Sequence, residues 1–141
     1  MRILLTGVMV AFILGSAHVL VQDDSSVNIS VGEASLRAVI ADTQEERTRG
    51  LSSRPSLSQE EGMLFVFEDE GKHSFWMKDM RFPLDILWID KEKRVVEITL
   101  NVSPDSYPGR LIPSVPVLYV LEVNAGWTER NGIRIGDKMK F

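Results

Sequence analysis

The sequence predicts a mainly β domain, α+β at the margin, in which about eight short strands form a closed or nearly closed barrel, or a sandwich, with one short polar helix. Three observations carry this expectation. Apolar residues alternate with polar ones, or run unbroken, only over short stretches. Gly, Pro, Asn and Asp punctuate the chain between those stretches. A single segment, Thr43-Gln44-Glu45-Glu46 with Gly50 behind it, carries the start and stop signals of a helix. At 141 residues, 44% hydrophobic and 26% charged, the composition is that of one globular domain. There is no cysteine, so the fold must be held by its core and not by disulfides.

The N-terminus is of a different kind. Arg2 precedes residues 3–21, which contain no Asp, Glu, Lys or Arg, and residues 1–22 are read as a signal peptide or an N-terminal membrane anchor. Gly15 and Ala17 are spaced as a signal peptidase requires, whereas Val19, Leu20 and Val21 extend the run toward the length that spans a bilayer. Residues 23–26 form a short junction, and 27–141 the domain. With Arg2 on the cytoplasmic side and Asp23 and Asp24 beyond the apolar run, the domain is expected to be exported, periplasmic or extracellular. Membrane contact is then confined to the N-terminal segment. After residue 22 the chain carries 15 basic and 20 acidic residues, a net charge of −5. That balance disfavours nucleic acid and anionic membrane surfaces as partners.

Each element follows from its local pattern. Residues 27–31 and 36–41 flank Gly32-Glu33 as a hairpin. Thr43 and Glu46 have capping-box spacing, and the helix they open has almost no apolar stripe and belongs on the surface. Residues 51–62 connect onward, with turn chemistry at Arg54-Pro55 and Glu61-Gly62. Residues 63–68 and 73–77 are expected to form a hairpin around the acidic segment 68–71. In residues 84–90, Leu84, Ile86 and Trp88 share one face while Asp85, Leu87 and Ile89 share the other, which describes a central strand with a carboxylate embedded in it. Residues 94–102 place Val96, Ile98, Leu100 and Val102 on one face and Glu97, Thr99 and Asn101 on a wet one. Residues 103–113 read as an ordered loop. Residues 115–123 form a further apolar strand, with Leu118, Val120 and Glu122 on one face, so that Glu122 is placed like Asp85. A helical turn over 125–131 leads to a final segment in which Ile133, Ile135, Met139 and Phe141 face inward.

Several motifs fall in a recognisable order. They are Arg47-Thr48-Arg49-Gly50-Leu51 with Arg54, Gly62-Met63-Leu64-Phe65-Val66-Phe67, Phe75-Trp76-Met77-Lys78, Pro83-Leu84-Asp85-Ile86, Leu121-Glu122-Val123-Asn124-Ala125-Gly126 and Ile135-Gly136-Asp137. Together they resemble the domain of unknown function 192 family from about residue 27 to the end. The resemblance implies a small β-rich domain, often exported, with no established activity, substrate or catalytic residues. The chain departs from the family pattern at Asp79-Met80-Arg81-Phe82, where an Asn-Thr pair and an aliphatic residue usually precede the proline.

A buried carboxylate needs a partner or a proton, so Asp85 and Glu122 organise the functional reading. An arginine can grip a carboxylate or phosphate bidentately, and a carboxylate can hold a hydroxyl or an amine. The expected function is that of an accessory domain binding a small ligand or an envelope protein through Arg54, Trp76, Asp85 and Glu122, with Arg47 and Lys78 as further candidates. Four alternatives stand beside it. One of the arginines at 47, 49 and 54 could pair with a buried carboxylate as a structural lock. Asp85 and Glu122 could act as an acid–base pair, although no nucleophile motif, phosphate loop or triad is present. His73, Met77 and Met80 could hold copper as soft ligands, and methionine is more often a core gap-filler. Trp76 and Lys78 could face outward as a protein or glycan contact. No catalytic residue and no cofactor is assigned from the sequence.

Overall fold

The computed structural model describes residues 26–141. The export segment expected over residues 1–22 therefore lies outside the described residues. Seven strands form one sheet: β1 (Ser26–Val31), β2 (Ala34–Ala41), β3 (Glu61–Gly71), β4 (Leu84–Ile89), β5 (Val95–Val102), β6 (Val117–Asn124) and β7 (Met139–Lys140). Their order is β5-β4-β6-β3-β2-β1-β7. Every neighbouring pair is antiparallel except β2 and β3, which run parallel. A parallel pair needs a crossover connection, and here it carries α1 (Gln44–Arg49). Helix α2 (Trp127–Arg130) follows β6.

The sheet curls into a half-barrel and does not close. Its end strands meet at one corner only, where Arg94 and Lys138 form an isolated bridge and the Val95 amide donates to the Asp137 carbonyl at 2.9 Å. Of the expected mainly β domain with about eight strands in a closed or nearly closed barrel or a sandwich, the mainly β class stands; the barrel is not closed, and the described residues form seven strands. The lost strand is residues 73–77. β3 continues through the acidic segment expected to turn, with an irregularity between Val66 and Gly71, and its Glu61–Phe65 half lies between β2 and β6, so no free edge remains there for a hairpin partner. The chain instead leaves the sheet, and Phe75 exchanges two backbone hydrogen bonds, each 2.9 Å, with Leu111. At the C-terminus, Ile133 and Met139 are buried as expected, but Ile135 and Phe141 are exposed. Of that segment Met139 and Lys140 pair with β1 and Lys138 bridges to Arg94, so Ile135 and Phe141 lie outside the ladder.

Two apolar cores lie on opposite faces of the sheet. The inner one, enclosed by the curl, draws on all seven strands and includes Ile29, Val31, Leu64, Leu87, Leu121, Val123 and Met139, with Trp127 of α2. The outer one includes Phe65, Ile86, Trp88 and Val120 and is covered by Leu51, Leu57, Phe75 and Met77 from the connections. β4 is buried along its whole length, with Leu84, Ile86 and Trp88 on the outer face and Leu87 and Ile89 on the inner.

β5 breaks the simple alternation. Leu84 pairs with Val102 and Ile86 with Thr99, so one residue more is accommodated on β5 than on β4, and Asn101 takes φ 52° there. A second shift lies between Trp88↔Glu97 and Ile89↔Val95. Val95 and Ile98 consequently join the inner core, Val96 and Val102 the outer one, and Leu100 is left exposed. The single apolar face expected for Val96, Ile98, Leu100 and Val102 is corrected by these two irregularities. Thr99, expected on the wet face, accepts a 2.9 Å hydrogen bond from the Trp88 indole.

Helix α1 has no buried residue and is held by its ends. The Glu46 amide donates to Thr43 Oγ1 at 3.2 Å, Glu46 Oε2 accepts from the Thr43 amide at 3.1 Å, and the Gly50 amide closes the helix on the Glu46 carbonyl at 2.8 Å. Thr43→Ala removes half of this capping box, and a loss of about 1 kcal/mol is expected in urea unfolding.

Candidate functional site

The two buried carboxylates lie on opposite faces of the sheet. Asp85 pairs in register with Val123, and Glu122 with Ile86 and Met63. Asp85 therefore joins the inner face and Glu122 the outer one, although each occupies an equivalent place in its own strand. The expected Asp85–Glu122 acid–base pair is corrected accordingly: the sheet separates them.

Asp85 is completely buried, and its carboxylate is saturated by backbone amides. Oδ1 accepts from Asn101 N at 3.0 Å, the amide that the β5 bulge releases from the ladder. Oδ2 accepts from Gly126 N at 3.0 Å and Thr128 N at 3.1 Å. Those are first-turn amides of α2, whose own N-cap, Gly126, supplies no side-chain acceptor. Asp85 thus caps a helix from a neighbouring strand. A lock exists, but no arginine is part of it: the ion pair found among the described residues joins Lys91 to Glu70 at 3.3 Å on the surface.

Glu122 is 5% exposed, and among the described residues no hydrogen bond reaches its carboxyl. It opens into a cavity of about 250 Å³ on the outer face. Phe65, Phe75, Leu51 and Met80 form the apolar part of the wall, and Trp76 stands beside them. Phe75 is the hub of this wall, meeting Phe65 edge-on at 4.9 Å and Trp88 at 5.5 Å between ring centroids. Arg47, Arg49 and Arg110 bring positive charge to the same cavity. Arg47 donates to the carbonyls of Asp42 and Val66, the latter at 2.9 Å, and lies over the Phe67 ring at 5.2 Å, so it fastens α1 to β3. Arg110 stacks on Trp76 at 4.1 Å, with Lys78 at 5.6 Å and Tyr107 at 6.0 Å from the same ring. Burial, with no compensating partner, raises the Glu122 carboxyl from 4.5 to about 8.

Of the residues singled out from the sequence, Trp76, Glu122 and Arg47 share this cavity, and Lys78 sits over Trp76 at its edge. Arg54 lines a separate depression with Leu57 and Gly62. His73, Met77 and Met80 are not gathered. His73 stacks on Phe67 at 3.6 Å and borders another depression, Met77 lies in the outer core, and Met80 lines the Glu122 cavity. Among the described residues no cluster of three or more His, Cys, Asp or Glu is arranged for a metal ion. Arg110 carries no signal in the sequence. Its loop reaches the cavity through the Phe75–Leu111 exchange, which no local pattern encodes.

Two stability tests separate the carboxylates. Asp85→Ala leaves one buried and two part-buried amides without their acceptor, and a loss of roughly 3 kcal/mol or more is expected in urea unfolding. Glu122 has the opposite sign. Its folded pKa of about 8 lies above the unfolded value of 4.5, so the folded state keeps a proton that the unfolded chain has released. The contribution to stability is greatest below the unfolded pKa, declines as pH rises toward the folded pKa, and is flat beyond it. Glu122→Gln is expected to stabilise the protein by up to roughly 3 kcal/mol at neutral pH and to change little near pH 4. A gain of equal size at both pH values would show that burial does not hold the proton.

Comparison with known proteins places this architecture. The sequence profile of the domain of unknown function 192 family, described as an uncharacterised ACR, matches residues 27–141. No curated protein matches the chain. A crystal structure from Novosphingobium aromaticivorans DSM 12444, a protein of unknown function, is similar at 34% identity and a TM-score of 0.78, over 82% of this chain and 85% of that one. A second, from Sinorhizobium meliloti 1021 and described as a candidate transcription regulator, is similar at 31% identity and a TM-score of 0.76, over 80% of this chain and 91% of that one. The chain belongs to the domain of unknown function 192 family.

Proposed function

We propose that the protein is an extracytoplasmic accessory domain that binds a small molecule in the cavity at Glu122. One observation carries the reading: a carboxyl that is 5% exposed and without a hydrogen-bond partner among the described residues opens into a half-open, aromatic-walled cavity bordered by guanidinium groups. Burying a titratable group without a partner costs stability, and the Asp85 site on the opposite face demonstrates that this fold can satisfy a carboxylate fully. A strongly perturbed acid at the floor of a concave apolar site marks a binding position. The extracytoplasmic placement rests on the N-terminal apolar run and its flanking charges. The description of the Sinorhizobium protein is not extended to this chain, because a net charge of −5 after residue 22 opposes association with a phosphate backbone.

Native mass spectrometry of the protein isolated from its own cell envelope is expected to show a small-molecule adduct. The adduct should be lost in Glu122→Leu and kept in Arg54→Ala, since Arg54 lines a different depression. An adduct lost with Arg54 and retained with Glu122→Leu would move the site away from the cavity, and a bare wild-type chain would count against tight binding.

A further inference from the structure

Resting on the binding role proposed above, we infer that Glu122 serves as a hydrogen-bond donor and that the cavity takes a small organic acid of fixed polarity. The inner end of that ligand carries a hydroxyl or carbonyl oxygen, its body is flat and apolar, and its outer end carries a carboxylate.

The inner end follows from what surrounds Glu122. The residues paired with it across the ladder are Met63 and Ile86, and Phe65 and Leu51 line the same cavity. None of these offers a hydrogen bond or a compensating charge. Protonated by its burial, the carboxyl has one O–H to donate, and among the described residues it has no acceptor. A ligand oxygen supplies that acceptor, and in an apolar setting an unmade hydrogen bond is costly enough to discriminate between ligands.

The outer end follows from the arginines. Arg47 is committed to two backbone carbonyls and to the Phe67 ring. Arg49 and Arg110 are exposed, and among the described residues their guanidinium groups donate to no protein acceptor. Arg110 is already oriented by its stacking on Trp76 at 4.1 Å. A planar guanidinium fork held in this way suits a carboxylate. Between the two ends, Phe75, Phe65, Trp76 and Met80 provide apolar wall, and about 250 Å³ suits a single-ring acid. The charged groups lining the cavity are Arg47 and Arg49 from α1, Arg110 from the 103–116 connection and Glu122 from β6, while β3 and the 74–80 segment contribute no charged side chain to it. Arginine does not titrate in the accessible range, so above the titration of the ligand's own carboxylate Glu122 sets the pH dependence.

Three probes of nearly equal size test this on the exported protein by calorimetry and amide chemical shifts: 4-(hydroxymethyl)benzoate, 4-ethylbenzoate and 4-(aminomethyl)benzoate. The hydroxymethyl probe is expected to bind about tenfold or more tighter than the ethyl probe. Its affinity should be constant from about pH 6, where the probe is fully a carboxylate, up to the Glu122 pKa of about 8, and decline above it. Glu122→Gln, which keeps an N–H donor, should retain the preference and lose the pH dependence. Arg49→Gln with Arg110→Gln should weaken all three probes by about tenfold or more. If the aminomethyl probe binds tightest and releases a proton on binding, Glu122 is an anionic acceptor and the inference is overturned while the binding role stands. If none of the probes shifts a cavity amide at millimolar concentration, the inference is overturned. A native adduct then leaves the binding role intact, and a bare chain removes both.

Discussion

The carboxylate of Asp85 sits where β4, the bulge of β5 and the first turn of α2 converge, and each of the last two brings an amide that the regular ladder or helix cannot satisfy. The bulge frees Asn101 N, and α2 begins with unpaired amides and a glycine that cannot cap itself. One side chain with two oxygens accepts all three. Because its partners are backbone dipoles, the site needs no cation, and the desolvation of an ion pair is avoided. This contact fixes the position of α2, which places Trp127 into the inner core. It also explains how an irregular strand is tolerated beside β4, the strand buried along its whole length.

Glu122 shows the contrasting way to bury an acid. It lies on the other face of the same sheet, one strand away, where the local surroundings are side chains and not chain ends. No amide is left over there to be accepted. The protein keeps the group by keeping its proton, which makes the carboxyl a donor beside the apolar side chains of Met63, Ile86, Phe65 and Leu51. The sheet thus carries a satisfied acid on its inner face and an unsatisfied one on its outer face. Only the second faces a cavity.

The parts of this architecture that depend on neighbours in sequence were legible. The alternation of Leu84, Ile86 and Trp88 against Asp85, Leu87 and Ile89 places each of these side chains on the face where it lies. The Thr43–Glu46 capping box and the Gly32-Glu33 turn are present as read. What depends on register between strands was not legible. Asp85 and Glu122 have equivalent places in their own strands, yet the pairing of Asp85 with Val123 sends them to opposite faces. The same limit hid the insertion of β3 between two neighbours, which abolished the expected hairpin, and the bulges that redistributed Val95 and Val96. Arg110 belongs to this class too, since only the Phe75–Leu111 exchange brings it beside Trp76.

The cavity at Glu122 is built from two materials. Its floor belongs to paired strands, whereas Arg49, Arg110, Ser74 and Trp76 come from segments that pair with the sheet little or not at all. Substitutions at such exposed positions usually alter stability by only a few tenths of a kcal/mol. A lineage can therefore rewrite the border of the cavity while its floor stays anchored by the packing of β3, β4 and β6. Descendants of one such domain would inherit the same buried acid behind borders of different shape and charge, so that one scaffold can carry many surfaces.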